Sequence, residues 1–184
     1  MKLCNSDLSD EWSDWTTRDQ MRMDIRSVTP EDQPWIRELL SAHFASPRVV
    51  SRGVLHQADE LPGLIAVRDE SPIGVLLYDC RGDQCEVVVL IAIEEGRGVA
   101  TALLEAVKSV ALAGSCRRIW LITTNDNAPT LDFYQRRGWT KVATYHGAVA
   151  ESRRLKPELP EIGRDRIPIR DEIEFELRLR PGGA

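Results

Sequence analysis

The stretch Glu95-Gly96-Arg97-Gly98-Val99-Ala100-Thr101 limits the folds open to this chain more than any other. An unbroken apolar run, Val87 to Ile93, leads into it. An apolar-periodic segment, Thr101-Ala102-Leu103-Leu104-Glu105-Ala106-Val107, leads out. The pattern predicts strand, glycine loop and helix in direct succession. A helix entered in this way leaves its first N–H groups without intrahelical acceptors, at the positive end of its dipole. Such an end accommodates a phosphate or pyrophosphate. Glycine lets the backbone approach that ligand with no side chain between them.

The rest of the chain narrows the setting. At 184 residues it is long enough for one domain with a full core. With 42% hydrophobic and 29% charged residues, its composition is that of an ordinary globular protein. A formal charge of -5 argues against nucleic acid as a partner and suits either solubility or a cationic small molecule. No apolar run approaches the roughly 20 residues needed to cross a bilayer. Met1 to Arg22 lacks the apolar centre of a signal peptide. A cytoplasmic protein without membrane partners is therefore expected. Cys4, Cys80, Cys85 and Cys116 form no CxxC pair, and His43, His56 and His146 are widely separated. This spacing predicts reduced thiols and no metal site.

Residues 1–22 are polar and acidic, with Trp12 and Trp15 as their only large apolar groups, and read as a flexible extension. Docking of that segment through the two tryptophans is the alternative. Residues 23–184 read as a single domain. Strands are expected at Asp24–Val28, Gly63–Arg68, Pro72–Cys80, Glu86–Ile93, Arg118–Thr123, Trp139–Tyr145 and Glu172–Leu179. Thr29-Pro30-Glu31-Asp32 gives a helix start, with Thr29 as N-cap and Pro30 at the first helical position. The helix that follows carries Ile36, Leu39, Leu40 and Phe44 on one face. A second helix runs to Ala113 before Gly114, and a third spans Ala128 to Arg136 before Gly138. Val49–Glu60 has no decisive period, and the proline- and charge-rich Gly147–Arg170 breaks the pattern. Single helices inserted among strands indicate a mixed α/β sheet.

A nucleotide P-loop requires Lys-Ser/Thr after its last glycine, but Gly98 is followed by Val99-Ala100-Thr101. A dinucleotide fold requires a third glycine and a place after the first strand, and neither is present. The loop instead resembles the pyrophosphate loop of the GNAT N-acetyltransferase superfamily, Gln/Arg-x-x-Gly-x-Gly/Ala. A second stretch, Asn127-Ala128-Pro129-Thr130-Leu131-Asp132-Phe133-Tyr134-Gln135-Arg136-Arg137-Gly138-Trp139, resembles that family's Asn, Phe-Tyr and Gly-aromatic signature. The resemblance covers Met23 to Leu179. One departure is Glu95, which stands where the family keeps Gln or Arg; Arg97 is expected to offset its charge.

The resemblance implies an α+β fold with a mixed, mostly antiparallel central sheet of about seven strands, flanking helices, and strands four and five splayed apart. It implies acetyl-CoA as cosubstrate, without metal, and a primary amine of a small molecule or protein as acceptor. Val88 and Leu90 would offer backbone groups to the pantetheine arm. Glu95, Gly96, Arg97, Gly98, Val99, Ala100 and Thr101 would form the pyrophosphate cradle, and Asn127 would touch the pantetheine. Tyr134 would sit near the thioester sulfur as the acid for the leaving thiolate, or serve only as a packing residue.

Glu86, which opens strand four, is the candidate general base. Period-two alternation puts it on one face with Val88 and Leu90. Glu151, Glu172, Glu174 and His146 are rivals, and His43 and His56 rank below them. Gly147–Arg170 leaves open an acceptor lid, a homodimer contact or an exposed salt-bridged loop. A non-catalytic acyl-CoA sensor or interaction module on the same fold is the alternative function.

Overall fold

The computed structural model describes residues 23–94 and 96–179. The expected extension 1–22, with its tryptophans, and Glu95 lie outside the described residues. A seven-stranded sheet forms the body. Its strands are β1 (Asp24–Ser27), β4 (Gly63–Arg68), β5 (Ser71–Arg81), β6 (Gln84–Ala92), β7 (Arg118–Thr124), β8 (Thr140–Tyr145) and β9 (Glu172–Arg178). Their order is β1-β4-β5-β6-β7-β9-β8. Only β6 and β7 run parallel; the other neighbours are antiparallel. A parallel pair needs a long crossover, here supplied by the helix α2 (Val99–Ala113).

The two faces carry separate cores. On one face α2 sets Val99, Leu103, Leu104, Val107 and Ala111 against Leu76, Val87, Ile119 and Leu121 of the sheet. On the other, α1 (Gln33–Phe44) sets Ile36 and Leu40 against Ile65, Val75, Leu77 and Val89. Leu39 and Phe44 pack against the same cluster, so the apolar face of α1 is the one its periodicity gives. Each such fully buried aliphatic side chain contributes about 1.5–3 kcal/mol. Gly74 fixes how closely α2 approaches: a Cβ there would lie 2.6 Å from Val99 Cγ1 and 2.9 Å from the Ile91 carbonyl oxygen. The sheet thus holds the first turn of α2 against β5 and β6.

Two segments take shapes that periodicity did not reveal. Val49–Glu60 holds a hairpin, β2 (Arg48–Ser51) with β3 (Val54–Gln57), followed by a short 3₁₀ turn at Ala58–Glu60. Gly147–Arg170 begins with a helix, α4 (Ala148–Leu155), then becomes an irregular loop. That loop is latched to the end of β7: Asn125 Oδ1 accepts from the N–H groups of Arg170 and Asp171, and Asp126 Oδ2 accepts from that of Arg164. The first helix also starts differently. Thr29–Asp32 forms a capped 3₁₀ turn, with the Asp32 carboxylate accepting from the Thr29 N–H at 2.8 Å, and the α-helix begins at Gln33.

The shared face expected for Glu86, Val88 and Leu90 is incorrect. Leu77 pairs with Val89, and Tyr78 with Val87, so Val88 is an extra residue on β6. A bulge of this kind resets the alternation. Glu86 and Val88 lie on the α1 side, whereas Leu90 packs with the α2 cluster.

Candidate functional site

The parallel pair sets the geometry. Pairing of β6 with β7 runs from Gln84–Arg118 to Val87–Leu121 and stops there. β6 continues to Ala92, and β7 leaves to pair with β9 as far as Thr124. The strands splay at their C-terminal ends, where open α/β sheets place their ligands. Among the described residues, the main chain of β6 beyond Val87 therefore has no ladder partner on the β7 side. Ile93 donates to Ile73 of β5 at 2.9 Å. Since alternate residues address opposite neighbours, Leu90 turns its main-chain groups toward the cleft.

The glycine loop stands at the end of that cleft. Gly96 (φ +74) and Gly98 (φ +79) both adopt left-handed conformations, and open space lies where each Cβ would be. Gly98 is the N-cap of α2, and its carbonyl accepts from Ala102 at 2.9 Å. The N–H groups of Val99, Ala100 and Thr101 are the helix's free donors. Arg97 is exposed beside Glu94, at 3.8 Å.

Across the cleft, Asn127 is the N-cap of α3 (Ala128–Gln135), and its Oδ1 is buried with no hydrogen-bond partner among the described residues. Buried acceptors are rarely left so. Tyr134 is buried on α3 between Trp139 and Phe175, at ring distances of 5.5 and 5.7 Å. Burial pushes its phenol well above the ordinary value, which keeps it protonated.

Glu86 lies on the α1 side, one residue before the splay, opposite Trp120 of β7. It is 7% exposed, and burial pushes its carboxyl up to about 7. Ser51 of the β2–β3 hairpin lies beside it and partly opposes that rise. The rival bases are otherwise engaged. Glu174 accepts from Tyr145 at 2.6 Å and from Arg118 at 3.1 Å. Glu172 accepts from Ser152 at 2.6 Å, and exposed Glu151 pairs with Arg154. His146 is exposed beside Asp171, and exposed His43 contacts the Leu39 carbonyl. Among the described residues Glu86 has no Lys or Arg side chain in contact, and its Oε1 is unpartnered.

The glycine loop, the splayed strands and the Asn127–Tyr134 helix thus meet at one cleft. A model of the "Acetyltransferase (GNAT) family" matches residues 10–139, which include all three. The chain belongs to the GNAT acetyltransferase family. The Bacillus subtilis protein YdhI is 40% identical over 141 residues, covering 76% of this chain and 88% of that protein. Among solved structures, an IAA acetyltransferase from Bacillus cereus superposes with a TM-score of 0.64 at 17% identity, covering 86% of this chain and all of that one (100%). A GNAT family acetyltransferase from Elizabethkingia anophelis with acetyl-CoA bound gives 0.63 at 16% identity, covering 86% and 99%. At these identities the two structures establish the GNAT fold.

The cleft fits a coenzyme A moiety on this chain's own observations: free helix donors, glycines open to a ligand, an unpartnered edge on β6 and a buried unpartnered Asn127 oxygen. Sequence reading missed two contributors. Arg137 donates to Thr101 Oγ1 at 2.9 Å and stacks on the Phe133 ring at 3.6 Å, which puts a cation beside the first turn of α2. It stands inside the second GNAT signature, but no spacing rule links it to the loop. His56, ranked low, lies against Glu86. The hairpin that carries it had no readable period. Among the described residues no cluster of His, Cys, Asp or Glu suits a metal, and no helix is long and apolar enough to cross a membrane.

Proposed function

We propose that this GNAT protein is an acetyl-CoA-dependent N-acetyltransferase that moves an acetyl group directly to a primary amine of a small molecule or protein. The observation that carries this reading is Glu86: a buried carboxylate with raised proton affinity, one residue from the point where β6 and β7 part. The bound cosubstrate would supply an acetyl thioester. Main-chain N–H groups from Gly96 to Thr101, with Arg97 and Arg137, hold its pyrophosphate. Backbone groups of Val88 and Leu90 and the side chain of Asn127 hold the pantetheine.

Glu86 takes a proton from the acceptor ammonium, a task suited to a base poised near neutrality. Tyr134, kept protonated by burial, would give its proton to the departing thiolate and regain one from the nitrogen of the tetrahedral adduct as it becomes the amide. An acidic protein offers a cationic acceptor a favourable field. The protein works in the cytoplasm in this reading, alone or as a homodimer.

The test combines acetyl-CoA binding by calorimetry with thiol release across a panel of primary amines. Saturable binding with amine-dependent thiol release is expected. Tight binding without release from any amine would instead identify an acyl-CoA sensor or interaction module.

A further inference from the structure

Asp79 of β5 and Glu86 of β6 stand directly opposite each other in their ladder. Two carboxylates so placed repel each other and cannot both ionise cheaply in a buried setting. The β2–β3 hairpin lays a third group over them. His56, 5% exposed, brings Nδ1 to 3.8 Å from Asp79 Oδ2 and Nε2 to 3.5 Å from Glu86 Oε2. His56 Nε2, Glu86 Oε1 and Ser51 Oγ are all buried without hydrogen-bond partners among the described residues. The charged groups around this set are Arg81, which pairs with Asp79 at 2.7 Å on the exposed side, and Arg52 at the hairpin turn.

We propose that His56 is a proton-holding partner of Glu86: its Nε2 takes over the proton that Glu86 removes from the acceptor ammonium. The inference rests on the acetyl-transfer reading above. An N–H bond of the ammonium breaks, its electron pair stays on nitrogen, and an O–H bond forms on Glu86. That O–H bond then breaks as an N–H bond forms at Nε2. The product is an imidazolium between the Asp79 and Glu86 carboxylates. Once the product amide leaves, the proton returns through Glu86 to water, and no net charge accumulates.

Asp79 orients the ring. An Nδ1–H directed at Asp79 leaves the Nε2 lone pair for Glu86. Burial lowers the proton affinity of His56, against the pull of Asp79, so the resting imidazole is neutral. With the proton affinity of Glu86 raised and that of His56 lowered, the transfer to Nε2 runs uphill, so the imidazolium is a short-lived carrier stabilised by the two carboxylates beside it and returns its proton readily. In this scheme His56 touches no substrate and acts through Glu86.

Titration of the His56 ring by NMR tests the pairing on the full chain without cosubstrate. The signal is assigned with His56→Gln. The expected result is a midpoint lower by about one pH unit in Glu86→Gln and in Asp79→Asn, because each removes a carboxylate partner. Midpoints that superimpose on the wild type in both variants would overturn the proposal.

The kinetic arm uses acetyl-CoA and whichever panel amine supports thiol release. His56→Gln keeps a polar group but holds no proton. It should lower kcat about tenfold, alter the acid limb of the pH profile and leave acetyl-CoA affinity unchanged. A wild-type kcat and pH profile would overturn the proposal even if the titrations are coupled. A wild-type protein that acetylates no amine would defeat the transfer reading and this role together. The ring titration would then separately report whether the pair exists.

Discussion

Arg137 Nε donates to Thr101 Oγ1 at 2.9 Å, joining the end of the Asn127–Trp139 motif to the first turn behind the glycine loop. The two stretches that identify the GNAT family lie far apart in the chain yet are tied by one side chain. Arg137 also donates to the Phe133 carbonyl at 3.0 Å and lies over the Phe133 ring, so its guanidinium is fixed before any ligand arrives. A preorganised cation beside a helix N-terminus favours an anionic ligand.

Arg137→Met should therefore weaken acetyl-CoA binding about tenfold, or 1.4 kcal/mol. Calorimetry in low and moderate salt checks this, since the loss should shrink as ionic strength rises.

Glu86 sets a pH dependence of stability whose sign is definite. Its folded-state proton affinity is raised, to about 7, above that of an unfolded carboxyl. The folded state therefore binds the extra proton between the two values, and stability is lost as pH rises from about 4.5 through 7. Glu86→Gln removes that loss. Denaturant melts should find the variant more stable than wild type by about 1–3 kcal/mol at pH 8, with the difference closing below pH 4.5. The same base predicts that kcat/KM for an amine rises with pH through about 7 and that Glu86→Gln loses this limb.

Tyr134→Phe separates binding from chemistry. The ring packs with Trp139 and Phe175, and phenylalanine preserves that packing. Thermal unfolding should change little. Turnover should fall by about 10²-fold, with acetyl-CoA affinity retained. Equal losses in both would assign Tyr134 to the core alone.

Lys156 holds the hairpin that brings Ser51 and His56 to Glu86. Its buried Nζ donates to the Phe44 carbonyl at 2.7 Å and to the Arg48 carbonyl, clamping the end of α1 to the start of β2. Lys156→Met leaves two part-buried carbonyl acceptors short of a donor and should cost about 1–3 kcal/mol by chemical denaturation. Faster amide exchange across Arg48–Gln57 should accompany it.

The central machinery was legible because it obeys short-range rules. Gly96 and Gly98 announce a strained turn before a helix, and Asn127 and Gly138 bracket another helix. The seven sheet strands follow from alternation and apolar runs. The β2–β3 hairpin was not legible: its strands are four residues each, with His56 and Ser51 facing inward where apolar residues would have marked a core face. The bulge at Val88 left no trace either, because Val87, Val88 and Val89 are the same residue and only pairing with Leu77 and Tyr78 reveals which is extra. Both gaps fall around Glu86, where tertiary contacts rather than local period place the groups.

The most direct test of the account is the initial-rate pattern of thiol release when acetyl-CoA and a primary amine are varied together. Direct transfer within one cleft predicts amine-dependent release with lines that intersect in a double-reciprocal plot. Parallel lines, which signal an acetylated protein intermediate, or the absence of amine-dependent release at saturating acetyl-CoA, would contradict it.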